Sequence, residues 1–302
     1  MAMKETKFSS ITGKTSLVGV IGDPISHSLS PVIQNAALHK MNLDWCYLAI
    51  PCKPDNLESI IKCLSKINCK GLNITIPHKT NALKFCNHVS EIATKVGAIN
   101  TLIPDNDDGW IGTNTDVEGF LKPLGLEKNW ESRNAVILGN GGSARAVLLG
   151  LEKLKLAEIA IIGRKETSIT NLINSLTSPN GNIKGLTQDS LQLNEYIKNA
   201  DLIINTTPIG MLQTNNTSCI DSEIPFGEKI WDNLKPKTTL YDLIYNPRPT
   251  KWLEIGKEKG CIPIDGLEML IQQGAASLRL WSGIEEIPID IMRKSAKDHL
   301  LN

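Results

Sequence analysis

Apolar and polar positions follow a repeating rhythm along this chain, short apolar runs separated by longer mixed ones. The short runs predict buried strands at Leu17–Gly22, Trp45–Ile50 and Gly71–Ile76, with Ala98–Ile103 and Trp110–Gly112 completing the first half. Between them, Pro31–Met41 carries Val32, Ile33, Ala36, Ala37 and Met41 at roughly helical spacing, and Leu57–Leu64 reads as part of a helix. The second half repeats the rhythm with strand Asn134–Leu138, helix Ser143–Leu154, strand Glu158–Ile162 and a helix near Thr167–Leu176. Strands Leu202–Asn205 and Thr239–Leu243 follow. Strands alternating with helices predict an α/β fold with mainly parallel sheets. Thr214–Lys237, with N-N-T-S and prolines, interrupts the pattern and reads as a surface excursion. Gly266–Trp281 closes it as a helix carrying Leu267, Met269, Leu270, Ala275, Leu278 and Trp281.

Composition narrows the class. The 302 residues suffice for two domains, each with its own core. Lys plus Arg and Asp plus Glu are 32 each, so the zero net charge gives no support to a nucleic-acid or anionic-membrane surface. Seven cysteines show neither a C-x-x-C pair nor zinc spacing, which points to free thiols in a reducing cytoplasm and to no metal. No run approaches the roughly 20 apolar residues of a membrane helix. Met1–Ser16 is polar, carries Glu5 and lacks arginine, so it reads as neither a secretory nor an organelle signal. Gly13-Lys14-Thr15-Ser16 imitates the end of a P-loop, but that motif needs glycine where Phe8 stands.

The second half carries the stronger motif. V-I-L-G-N-G-G-S-A (136–144) reads as a strand, a glycine turn and a helix start. Gly139, Asn140, Gly141, Gly142, Ser143 and Ala144 fit G-x-G-x-x-A, with glycines that let a pyrophosphate approach the backbone and an alanine that keeps helix and strand close. Two strand–turn–helix units in succession are what a Rossmann domain requires. At the end of the next strand an acid would hold the ribose 2′-hydroxyl of NAD. Gly163-Arg164-Lys165 stands there instead, with Glu166 only afterwards, and two cations suit the 2′-phosphate of NADP.

The first half holds a set of polar residues. Ser28 and Ser30 precede or adjoin Pro31, where serines cap a helix and proline starts one. Asn73 and Thr75 share one face of a predicted strand, while Ile74 and Ile76 point to the core. Buried polar groups need partners, and substrate hydroxyls are reasonable ones for Asn73, Thr75 and Asn100. Lys79 follows Pro77-His78 near the start of a helix, a credible proton donor and acceptor, with His78 and His27 structural. Asp116 opens a linking helix, Val117–Leu124.

Taken in order, S-H-S-L-S-P (26–31), N-I-T-I-P-H-K (73–79), G-A-I-N-T (97–101), N-T-D (114–116), the glycine turn, N-T-T-P-I-G-M (205–211), Y-D-L-I-Y-N-P (241–247) and M-L-I-Q-Q-G-A (269–275) resemble the shikimate dehydrogenases and their quinate/shikimate relatives. The resemblance runs from about Leu17 to Trp281. It implies reversible reduction of 3-dehydroshikimate to shikimate with NADPH, in chorismate and aromatic amino-acid biosynthesis. It also implies that Ser28 and Ser30 hold the carboxylate, and that Lys79 and Asp116 pair on the reacting hydroxyl. Thr206, Thr207 and Met211 would lie by the nicotinamide, Gly266 would also contact the cofactor, and Tyr245 and Gln273, rather than Gln272, would reach the substrate. Asp242 would brace its loop, and Tyr241 reads as core.

The resemblance also returns the C-terminal helix to the first domain. The expected domains are thus 1–115 plus 266–302 for substrate and 116–265 for NADP, across a cleft with Asp116 and Gly266 as hinge, in a monomer or homodimer. The sequence departs from the family's Asn-Arg-Thr at Gly163 and Lys165, and Val117-Glu118-Gly119 replaces a glycine directly after the aspartate. A quinate/shikimate enzyme with broader substrate or NAD use is the rival. A non-catalytic NADP sensor is a second, less favoured because Lys79 and Asp116 are both present.

Overall fold

A computed structural model describes residues 11–125, 129–175, 182–211, 224–227 and 229–301. Of the expected Thr214–Lys237 excursion, residues 214–223 and 228 lie outside the described residues, as does Leu176 at the end of an expected helix. The chain divides into two compact units. The first takes Met1–Ser90, Ile99–Thr115 and Gly274–Asn302; the second takes Glu91–Ala98 and Asp116–Gln273.

The first unit contains β1 (Ser16–Gly22), α1 (Ser30–Lys40), β2 (Trp45–Pro51), α2 (Leu57–Leu64), β3 (Cys69–Ile74), β4 (His88–Val89), β5 (Thr101–Asp105) and β6 (Gly109–Thr113). Its sheet has the order β2-β1-β3-β5-β6-β4 and is mixed, mainly parallel with one antiparallel strand inserted. β1 pairs in parallel with β2 and β3, and β4 with β6, but β5 is antiparallel to both β3 and β6. The reason is local. β5 and β6 pair from Asp105 against Gly109, and Asp108 takes a left-handed φ of 58° in the tight turn between them. So short a connection can join only antiparallel strands. β3 ends at Ile74 and the chain turns at Thr75–Pro77, so Ile76 is 63% exposed and not the core residue that alternation predicts.

The second unit contains α3 (Glu91–Val96), α4 (Asp116–Leu121), β7 (Asn134–Leu138), α5 (Gly142–Glu152), β8 (Glu158–Gly163), α6 (Glu166–Asn174), β9 (Ile183–Thr187) and α7 (Leu193–Asn199). β10 (Leu202–Asn205), β11 (Thr239–Asp242), α8 (Lys251–Glu258) and β12 (Ile262–Ile264) complete its sheet. The order is β12-β11-β10-β7-β8-β9, and every pairing is parallel. Such a sheet is buried on both faces, which explains its unbroken apolar runs. Ile137, Ile161, Ile204 and Tyr241 pack into one core, and Val136, Ala160, Ile203 and Leu240 into the other.

α9 (Leu267–Ser282) is divided at Gly274, not at the Gly266 expected from the sequence. Its Met269 belongs to a core of the second unit. Further along, Trp281 donates from Nε1 to the Leu102 carbonyl at 3.0 Å and lies over Gly71, both in the first unit. Glu91–Ala98 goes with the second unit because Val96 and Ala98 pack with Val117, Ala146 and Leu149. α10 (Ile289–Leu300) returns to pack along α1. Among the described residues, no helix is long and apolar enough to cross a membrane.

Candidate active site

In the first unit the predicted polar residues are joined by a buried network. Ser28 Oγ accepts the Ser30 amide at 3.2 Å, so it serves the first turn of α1. Ser30 is buried and hydrogen-bonds Tyr47. The Tyr47 hydroxyl donates to Asn73 Oδ1 at 2.8 Å, and burial pushes its phenol well above the usual range. Asn73 Nδ2 faces the Asn100 carbonyl at 3.1 Å, Thr101 Oγ1 at 3.2 Å and Ser277 Oγ at 2.9 Å. Asn100 Nδ2 donates to Thr115 Oγ1 at 2.9 Å, and its Oδ1 accepts the Thr115 amide at 2.8 Å. Thr101 and Thr115 each also lie within bonding distance of Ser277.

Two corrections follow. The burial of Asn73 and Asn100 does not itself demand a ligand, because the protein supplies their partners. The helix expected after Lys79 is only a 3₁₀ turn, Asn81–Phe85, with few peptide dipoles to act on a cation.

Thr75 and Lys79 lie in the turn that leaves β3. Thr75 donates its amide to the Ile21 carbonyl at 2.9 Å and accepts the His78 amide at 2.8 Å. His78 is buried with Nε2 at 2.7 Å from the Cys52 carbonyl, so it shapes the loop. Lys79 is half-buried, and its carbonyl accepts the Ile99 amide at 2.9 Å, next to Asn100. Tyr47 and Ser277 escaped the sequence reading because each sits among apolar neighbours in a regular element. Thr101 and Thr115 were missed as well, although each adjoins a residue that was singled out, Asn100 or Asp116.

In the second unit Asp116 is buried at the start of α4, which runs only to Leu121 before a 3₁₀ turn at Lys122–Leu124. Gly119 lets α4 approach α9: a Cβ there would stand 2.8 Å from Gln273 Cβ and 2.9 Å from the Met269 carbonyl oxygen. The displaced family glycine thus brings the helices of Asp116 and Gln273 together. Gln273 donates Nε2 to the Leu270 carbonyl at 2.9 Å, and Gln272 donates to Glu268 at 2.8 Å.

The glycine turn fits a dinucleotide. Gly139 has φ 104°, and a Cβ on it would meet Thr206 Oγ1 at 2.7 Å. Gly141, by contrast, has nothing within 4 Å of its Cβ position, so the backbone there faces open space. α5 starts at Gly142 without a side-chain cap, and helix amino ends of that kind suit an anion, while Ala144 is fully buried. Ser143 is half-buried in the first turn. Gly163 leaves room for Asn140, whose Nδ2 would lie 3.3 Å from a Cβ there. Arg164 and Lys165 follow, both exposed at the end of β8.

The loop after β10 packs under this turn. Thr206 donates both its amide, at 2.9 Å, and its hydroxyl, at 2.7 Å, to the Leu138 carbonyl. Thr207 donates Oγ1 to Asn205 Oδ1 at 2.7 Å, and Met211 ends the described part of the loop, half-buried. Tyr245 is half-buried just beyond β11, and Gly266 is buried with its amide on the Ile244 carbonyl at 3.0 Å. A cavity of about 480 Å³ opens instead at the opposite, amino ends of β7 and β8, lined by Glu158, Tyr196 and Asp201 among others, and contains none of these residues.

Known proteins match the chain along nearly its whole length. Residues 20–102 match the model of the shikimate dehydrogenase substrate binding domain, and residues 266–297 that of the shikimate 5′-dehydrogenase C-terminal domain. A shikimate dehydrogenase (NADP(+)) of Prochlorococcus marinus subsp. pastoris (strain CCMP1986 / NIES-2087 / MED4) is 48% identical over 290 residues, covering 96% of this chain and 100% of the relative. One from Synechocystis sp. (strain ATCC 27184 / PCC 6803 / Kazusa) is 45% identical over 298 residues, covering 96% and 98%. The crystal structure of the Thermus thermophilus shikimate 5-dehydrogenase in complex with NADP(H) and shikimate superposes with a TM-score of 0.80 at 28% identity, covering 94% of this chain and 99% of that one. Full-length identity at this level leaves one assignment for both units: the chain belongs to the shikimate dehydrogenase family.

Proposed function

We propose that the chain is an NADP-dependent shikimate dehydrogenase, interconverting 3-dehydroshikimate and shikimate in chorismate and aromatic amino-acid biosynthesis. The observation that carries this is the match to relatives of that name along 96% of the chain, which takes in both units. The open glycine turn with two exposed cations at the end of β8 supports the choice of NADP. The first unit would serve the substrate and the second the cofactor. When bound, NADP supplies the hydride chemistry.

The protein supplies position and a proton. Ser28 and Ser30 would hold the carboxylate, while Asn73, Thr75, Asn100, Tyr245 and Gln273 would hold ring hydroxyls. Lys79 would give its ammonium proton to the carbonyl oxygen as negative charge develops there, and take it back in the reverse direction. Asp116 would accept a hydrogen bond from the same hydroxyl and orient it. The network behind Ser30, Asn73 and Asn100 keeps these groups from relaxing, which is how binding geometry is converted to rate.

The deciding experiment is NADPH formation by purified protein with shikimate, beside quinate and beside NAD. Turnover with shikimate and NADP alone is expected. Comparable rates with quinate or NAD would move the assignment to the broader relative, and no turnover with any pair would overturn it.

Two variants test the cofactor half. Arg164→Ala is expected to raise the KM for NADP about tenfold to a hundredfold, the loss of a charged hydrogen bond, while leaving the KM for NAD little changed. Equal effects on both cofactors would remove Arg164 from the 2′-phosphate. Gly141→Ala is expected to leave the melting temperature at the parent value, since its Cβ meets no protein atom, yet to weaken NADP binding at least tenfold by crowding the pyrophosphate. Unchanged NADP titration by calorimetry would show that the pyrophosphate lies elsewhere. The free cysteines among the described residues support a cytoplasmic location. A monomer or homodimer is proposed, which sedimentation reports directly.

A further inference from the structure

Asn205 and Asp242 end adjacent strands of the second unit, β10 and β11, as register partners, and neither exposes any surface. Asn205 spends its amide in two directions. Its Oδ1 accepts the Thr207 amide at 3.0 Å and the Thr207 hydroxyl at 2.7 Å, which fixes the loop bearing Thr206, Thr207 and Met211. Its Nδ2 donates to Asp242 Oδ1 at 3.0 Å and to the Ile209 carbonyl at 3.3 Å in the same loop.

Asp242 takes up the other side. Its Oδ1 also accepts the Ile244 amide at 3.1 Å, next to Tyr245. Its Oδ2 accepts the Thr250 hydroxyl at 2.7 Å, and Thr250 caps α8 where the Tyr245 loop ends. Three donors, one from the end of β10 and two from the 243–250 loop, thus converge on one buried carboxylate. Burial pushes Asp242 up to about 7, so this carboxylate is held at a real desolvation cost. An apolar side chain would fill the site without that cost, but it would leave the Asn205 amide, the Ile244 amide and the Thr250 hydroxyl without their acceptor.

We infer that Asp242 is a positioning residue that sets the 206–211 loop and the 243–250 loop in register, so that affinity for cofactor and affinity for substrate rise and fall together. The inference rests on the proposed roles of Thr206, Thr207, Met211 and Tyr245. It assigns no chemistry to Asp242, which acts only through those residues.

Thr250→Val tests it by removing one donor while keeping the side chain's shape, with Thr250→Ser as the conservative control. KM is measured for NADP and for shikimate separately, alongside kcat and melting temperature. Thr250→Val is expected to raise both KM values about fivefold to tenfold, the loss of roughly one buried hydrogen bond, with a smaller change in kcat. Thr250→Ser is expected to return both to near the parent values. A purely structural role for Thr250 lowers the melting temperature without moving the two KM values together.

Asp242→Asn repeats the test from the other partner. Its oxygen can still accept from Asn205 and Ile244, but it presents a donor to Thr250, so both KM values move in parallel and by less. A rise in only one KM, or in neither, overturns the coupling, as does failure of serine to restore it. Parent protein that forms no NADPH from shikimate overturns the functional assignment and the coupling with it. An active parent with parental KM values in Thr250→Val overturns the coupling alone.

Discussion

Lys79→Ala is expected to lower turnover with shikimate by a factor of about 10² to 10⁴, the usual span for a general acid–base group. The KM for shikimate should change far less, because Ser28, Ser30, Asn73 and Asn100, the groups proposed to hold the substrate, remain. The prediction isolates chemistry from folding for a structural reason. The turn that carries Lys79 is fixed by other groups: the Thr75 carbonyl accepts the His78 amide, the His78 ring bonds the Cys52 carbonyl, and the Ala82 amide donates to the His78 carbonyl at 2.9 Å. Lys79 contributes its own carbonyl to the Ile99 amide, which alanine provides equally well. The turn should therefore keep its backbone path in the variant, and the expected effect is on kcat. Steady-state rates at saturating shikimate and NADP decide the matter, and a variant as fast as the parent would strip Lys79 of the role.

What the sequence disclosed and what it withheld divide along physical lines. The second unit was readable because a parallel sheet buried on both faces writes itself as apolar runs, as at Asn134–Leu138 and Glu158–Gly163, and its glycine turn sits between strand and helix. The first unit hid more. Alternation could not report that the Asp105–Gly109 turn reverses the chain, although the shortness of the gap was a signal. Nor could it see that the strand ends at Ile74, ahead of the turn at Thr75–Pro77. Tyr47 and Ser277 were invisible because a hydroxyl inside an apolar run carries no local mark of its partner. Ser277 meets Asn73 across 204 residues of sequence. The helix α9 looked uniform, yet its Met269 end and its Trp281 end pack into different cores, a tertiary fact with no counterpart in periodicity.

Gly266→Ala is the substitution expected to damage the structure most. Gly266 opens α9, with its carbonyl accepting the Leu270 amide at 3.0 Å and its own amide on the Ile244 carbonyl at the same distance. Its backbone does not occupy the left-handed region, so the need for glycine is one of contact. A Cβ would stand 2.0 Å from the Leu243 carbonyl oxygen, 2.4 Å from its carbon and 3.1 Å from the Ile244 carbonyl carbon. All three are backbone atoms, and Leu243 is itself held by its amide on the Asn205 carbonyl at 3.0 Å. No rotamer change can relieve such a clash. The start of α9 must move off the loop after β11, breaking the Gly266–Ile244 bond and displacing Tyr245 at once. Overpacking that forces backbone shifts costs about 3 kcal/mol or more at the upper end of its range. A fall in melting temperature of roughly 10 °C is therefore expected, with weakened shikimate binding in whatever protein remains folded. A melting temperature equal to the parent's would mean that α9 and the loop can separate freely, and that their close approach is incidental to the fold.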